Sequence, residues 1–156
     1  MDRLGLQILV SEMSQDLSIL QESSRNAALR INESHDGHLE ACGYELHRFY
    51  NVLEKSLERI CRTFENHFEK KGDYQERLLE RLHLEIPEVR PAFLPPDYKN
   101  ILRELKGFRH VFRHAYDLKL RHERLLELTK HAQTVAREFP DWLKKFEESV
   151  LPHLKN

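Results

Sequence analysis

Leu6, Leu9, Val10, Met13, Leu17, Leu20, Ala27, Ala28 and Ile31 recur at intervals of three and four, which predicts one amphipathic helix over 3–31. The next segment, NESHDGH at 32–38, breaks the pattern with Asn, Ser, Asp and Gly and reads as a loop. A stronger stripe follows. Leu39, Cys42, Leu46, Phe49, Leu53, Leu57, Ile60, Phe64 and Phe68 predict a helix along 38–69. Such a stripe is too long for one small core to cover unaided. Either the first and last helices run beside it, or part of it meets another chain. KKGD, 70–73, is expected to end it, with Gly72 as a left-handed cap.

A short third helix is expected over 74–85, carried by Leu78, Leu79 and Leu82. IPEVRPAFLPP, 86–96, then holds four of the six prolines and reads as a rigid connection rather than a flexible linker. Asp97 marks a helix start, and Ile101, Leu102, Leu105, Phe108 and Phe112 form the core face of a fourth helix over about 98–116. The fifth, about 121–150, carries Leu125, Leu126, Leu128, Ala132, Val135 and Phe139 before Pro140, and Trp142, Leu143, Phe146 and Val150 after it. A kink or break is expected at that proline. No internal repeat interrupts the series. The pattern predicts an all-α, up-and-down bundle of about five helices, with 1–156 as a single helical domain.

Composition agrees with this reading. Glycine and proline are few, and straight-chain residues, which lose little freedom in a helix, dominate. No stretch approaches the roughly 20 apolar residues of a membrane span. The N-terminus is too acidic and amphipathic for a signal peptide, so a soluble, cytoplasmic protein is expected, with no membrane partner. Cys42 and Cys61 fall on one predicted helix, about 28 Å apart at about 1.5 Å per residue, beyond disulfide reach. They read as buried thiols of a reducing compartment.

The formal net charge is −1, but the charge is unevenly spread. Residues 1–98 hold twelve Lys/Arg against eighteen Asp/Glu, whereas 99–130 hold nine against four. The basic segment is the surface a polyanion would feel, and it contains RHVFRHAY, 109–116. On an ideal helix Arg109 and Tyr116 share a face, while His114 lies about 140° round from Arg109. These groups converge only if the helix distorts or a second chain completes the site. A guanidinium grips phosphate oxygens through a planar fork of donors. An imidazole gives or takes a proton near neutrality. Together they suit metal-independent phosphodiester cleavage of RNA. The imidazole deprotonates a ribose 2′-hydroxyl or protonates the leaving 5′-oxygen, and the guanidinium stabilises charge building on phosphorus.

Arg109, four residues, His114, one residue, Tyr116 fits the pattern Arg-x4-His-x-Tyr. It resembles the HEPN ribonuclease toxins of the HepT type, which are paired with a minimal nucleotidyltransferase antitoxin, MntA. His110 occupies the slot where the wider family places a polar residue. The resemblance extends to size, helical character and the position of the motif near the end of the penultimate long helix. The first 95 residues match only in being helical. It implies a homodimer with two motifs facing one cleft, Arg109 and His114 cleaving RNA, and Tyr116 accepting AMP from the antitoxin. The adenylyl groups add bulk and negative charge, which repel RNA. It implies no cofactor.

Other readings of the same residues stand beside this one. His110 and His114 are four apart and able to share a metal, but Val111 stands where a zincin-like site needs Glu, so no metal is assigned. His110 and Arg113 are candidate RNA contacts. Arg103 is a further possible phosphate contact, although such residues more often only solubilise. His67 and His83 show no partner at useful spacing. Tyr98, Phe108, Phe112 and Phe146 read as core rather than as base-stacking platforms. The alternative function is a non-catalytic helical module that binds a nucleotidyltransferase.

Overall fold

The computed structural model describes residues 1–66, 68–114 and 119–154. Five α-helices follow one another among them: α1 (Arg3–Ile31), α2 (His38–Glu65), α3 (Tyr74–His83), α4 (Lys99–His114) and α5 (His122–Val150). Single 3₁₀ turns, Pro96–Tyr98 and Leu151–His153, precede α4 and follow α5. No strand occurs among the described residues, and the architecture is an all-α bundle.

The bounds of α1 coincide with its apolar repeat. Asp2 caps it, its side chain accepting the Gly5 N–H at 2.8 Å and satisfying one of the orphan donors of a helix start. Gly37, at φ +82°, turns the chain into α2 with a backbone conformation that a side chain would strain. α2 is shorter than its stripe suggests. It stops at Glu65 because Asn66 takes a left-handed conformation, φ +52°. Asn tolerates this region better than most residues with a side chain. Gly72 is also left-handed, φ +59°, but it serves the turn into α3 instead of capping α2. Phe68 still packs on the core from outside the helix and meets the Tyr74 ring edge-on at 6.1 Å.

α5 is not broken at Pro140 and runs continuously through it. The proline removes one backbone hydrogen bond. Phe139, Trp142, Leu143 and Phe146 are all buried around it, and their packing holds the helix together.

α1 packs along both α2 and α5, α5 also touches α2, and α4 packs on α2 as well. The stripe is thus covered within the chain, the first of the two arrangements its length allowed. Buried side chains from all five helices form one contiguous cluster, with Tyr50, Phe49 and Phe139 the largest of those fully buried. Cys42 and Cys61 are both buried in α2 as free thiols, and burial pushes the Cys61 thiol up to about 12, which leaves it unreactive. No helix among the described residues is long and apolar enough to cross a membrane.

The proline-rich connection is rigid for a specific reason. Arg90 turns back inside it, its side chain wholly buried, and donates to Glu65 Oε1 at 2.8 and 2.7 Å. It also donates to the carbonyls of Leu84, Pro91 and Arg81 at 3.0–3.1 Å. Phe93 and Leu94 N–H groups both donate to Leu82 O, and His83 Nδ1 meets Leu94 O at 3.1 Å. One guanidinium therefore holds the end of α2, the end of α3 and the connection together. Arg90→Met is expected to cost about 3–5 kcal/mol in denaturant unfolding, because it leaves the Glu65 carboxylate buried without its main counter-charge. Arg90→Met with Glu65→Leu should recover much of that loss.

Candidate functional site

α4 turns Leu102, Leu105 and Arg109 inward. Two apolar positions one turn apart thus lead a guanidinium into the interior on the third turn, where it is only 6% exposed. Its Nε donates to Asn51 Oδ1 on α2 at 2.8 Å, and Nη1 stands 3.6 Å from Glu54 Oε2 one turn further along α2. Glu54, also buried, accepts a hydrogen bond from the Tyr74 hydroxyl at the start of α3. Asn51 in turn donates through Nδ2 to His47 Nε2 at 3.0 Å. An amide nitrogen only donates, so His47 must accept at Nε2 and is held in the neutral form. Burial, reinforced by the charges of Arg109 and Arg113, holds this imidazole below its ordinary value. One continuous polar network thus ties α4 to α2 and α3.

Among the described residues no hydrogen bond occupies either terminal nitrogen of Arg109. Asn51 fixes the orientation of the fork, and Nη1 at its tip faces the Glu54 carboxylate. Glu54 offsets part of its charge.

The other motif residues face outward. His110, Arg113 and His114 are exposed on the last turns of α4, and the His110 and His114 rings lie 4.7 Å apart. Arg109 and His114 therefore sit on different sides of the helix, and a single chain does not bring them together. Tyr116 lies outside the described residues, as does His67. Phe112 fits between these two faces. Its ring meets His47 at 5.7 Å and stacks on Phe108 at 5.6 Å, and it covers Gly43, where an added Cβ would stand 2.7 Å from it.

The basic bias of 99–130 divides into two parts. Arg103 and Lys106 are committed to Glu76 on α3, and Arg103 also to Glu80 at 3.8 Å. Arg124 pairs with Glu127 at 2.9 Å and Glu104 at 3.6 Å. Arg113, Lys119 and Arg121 are exposed and make no ion pair among the described residues. Among the described residues, three cations without an ion pair thus lie where α4 ends and α5 begins. Two grooves flank α4. One, of 440 Å³, is lined by Tyr74, Glu76, Lys106 and His110. The other, of 520 Å³, has an apolar floor of Phe108, Val111 and Leu125 under Arg103, Arg121 and Arg124. Phe108 thus packs on the core and also reaches a groove wall.

Glu104, Glu127 and His131 form the one cluster of metal-ligating groups among the described residues, with ligand atoms within 4.8 Å of one another. His131 Nε2 meets Glu104 Oε2 at 2.6 Å. The Arg124 guanidinium already occupies the cation's place between the two glutamates.

Sequence spacing did not reveal His47, Asn51, Glu54 or Tyr74. Their signal was slight: Asn51 and Glu54 border the apolar stripe of a helix that is buried on more than one side.

Burial, then the hydrogen bond to Glu54, pushes the Tyr74 hydroxyl up from 10.0 to about 12. A raised value means that the folded state holds this proton more tightly. The stabilisation is complete below pH 10 and is lost as pH rises from 10 towards 12. Phenolate absorbance of Tyr74 should titrate near the upper value, and Tyr74→Phe should remove this part of the alkaline loss of stability.

Residues 41–150 match the family described as HepT-like protein. No curated protein and no solved structure matches the chain. The match runs from the second residue-turn of α2 to the last residue of α5, and so takes in the polar network, the exposed end of α4 and both grooves. α1 precedes it. On this ground the chain belongs to the HepT-like protein family.

Proposed function

We propose that this chain is a toxin-type, metal-independent endoribonuclease that works as a homodimer in the cytoplasm. The observation that carries the proposal is the Arg-x4-His-x-Tyr motif, at the end of α4, in a chain of the HepT-like family. Arg109 supplies the guanidinium that stabilises negative charge on the phosphorane, its fork held by Asn51 through Nε. His114, exposed at the end of the helix, moves the proton. His110 and Arg113, on the same exposed turns, contact the RNA backbone. Two-fold pairing of α4 ends would set the His114 of one chain beside the Arg109 of the other, which supplies the convergence that one chain lacks. One His114 then acts as base and the other as acid. An MntA-type nucleotidyltransferase neutralises the toxin by transferring AMP to the Tyr116 hydroxyl, and the added negative charge repels RNA.

The burial of Arg109 beside Glu54 favours a second reading. A guanidinium paired in the interior serves packing, and the chain would then be a non-catalytic helical module that binds a nucleotidyltransferase. Substitution at His114 decides between the two, since an exposed side chain can be removed without disturbing the core. In the first reading, purified protein cleaves RNA in chelator and leaves cyclic phosphate ends, and His114→Ala lowers the rate at least about 100-fold. Mixed dimers of intact and His114→Ala chains should be nearly inactive. Co-expression with the nucleotidyltransferase should add whole AMP units to the intact mass, and Tyr116→Phe should abolish the increment. A protein that never cleaves RNA, with or without His114, is the module.

A further inference from the structure

The motif contributes a second pattern that phosphodiester chemistry leaves unused. His110 and His114 stand one helical turn apart on the exposed face of α4, their ring centroids 4.7 Å apart and their planes inclined at 52°. Among the described residues neither ring makes a hydrogen bond or an ion pair. Zinc–imidazole bonds are about 2.0–2.1 Å, which places each ring centre about 3.2 Å from a shared metal; a tetrahedral angle then separates the centres by about 5.2 Å. The two ring centres already stand close to that spacing.

We propose that His110 and His114 form a two-imidazole site for a borderline-soft divalent transition metal of the zinc class. Occupancy removes the His114 nitrogen from proton transfer and shuts the reaction centre down. The metal-binding half stands on geometry alone, and the inhibitory half rests on the ribonuclease reading. Imidazole ligands select zinc, copper and nickel and have little affinity for magnesium or calcium. The chain fills two coordination positions and leaves two for water or for the same pair of a second copy. The absence of Glu after His110, which argues against a zincin-like catalyst, is no obstacle to a site that only binds. Val111 is exposed and leaves the rings open to solvent. The rival cluster Glu104–Glu127–His131 is already closed by Arg124.

The test is a calorimetric titration of Zn²⁺ into the full chain without RNA, with Mg²⁺ as the contrasting ion. The intact protein should bind Zn²⁺ and ignore Mg²⁺. His110→Ala and His114→Ala should each weaken binding at least tenfold, and His131→Ala should bind like the intact protein. All three positions are wholly or partly exposed, so the substitutions spare the core. Unchanged binding in the first two variants, or loss of binding in His131→Ala, overturns the site. Binding is read without RNA, so a chain that never cleaves RNA removes the ribonuclease reading and leaves the metal site standing. In a chain that cleaves, saturating Zn²⁺ should suppress cleavage; zinc bound at this pair with the rate unchanged overturns the inhibitory half.

Discussion

The structure depends on the burial of α2 on more than one side. A helix with one wet face can keep its charges in water, and α2 has too little of that face. Glu45, Glu54 and Glu58 are all buried on it. A carboxylate without partners in the interior costs several kcal/mol, so each one recruits polar groups from elsewhere. Glu45 takes Asn26 from α1 and Arg48 from its own helix. Glu58 takes Lys70 at 2.9 Å from the connection to α3. Glu54 takes Tyr74 from α3 and Arg109 from α4. The charges of α2 thus work as specific fasteners for the helices packed around it. The position of the motif arginine follows from this need for a counter-charge.

The same logic explains the connection between α3 and α4. A proline-rich segment has few N–H groups to donate, so a side-chain donor helps set its path. Arg90 donates to Pro91 O within the segment, to Arg81 and Leu84 O at the end of α3, and to the Glu65 carboxylate. α4 is then delivered to the bundle from a fixed point, through the 3₁₀ turn Pro96–Tyr98, whose Tyr98 ring meets Trp142 on α5 at 4.8 Å. The inward face of α4 is held by Arg109, and its outward face carries His110, Arg113 and His114. One face of the helix is therefore structurally committed and the other is open to solvent.

Much of the fold was legible in the spacing of apolar residues because burial in a bundle acts through that spacing. α1 ends where its repeat ends. The errors occurred where backbone conformation or tertiary packing outweighed periodicity. Phe64 and Phe68 keep the helical interval, yet Asn66 between them turns left-handed, and Phe68 reaches the core from a non-helical backbone. Pro140 should weaken a helix, and four buried aromatic and aliphatic neighbours outweigh the lost hydrogen bond. Residues 109–114 stood out in the sequence because their types are distinctive. Their inward partners did not: Asn51 lies 58 positions from Arg109, and polar residues beside an apolar stripe look like a wet face until a third helix covers them. The split between an inward arginine and outward histidines was visible in the 140° offset, and the coordinates give it a physical cause in Glu54.

Gly43 has a consequence for the shape of the outer end of α4. The Phe112 ring rests directly on the α2 backbone there, in space that the smallest possible side chain would already invade. The missing methyl works as a spacer of zero thickness. It sets how deeply the tip of the fourth helix can settle, and with it the height at which the imidazoles stand above the bundle. A residue with no chemistry of its own, on a different helix and more than sixty positions earlier, therefore calibrates how far the exposed end of the fourth helix stands out.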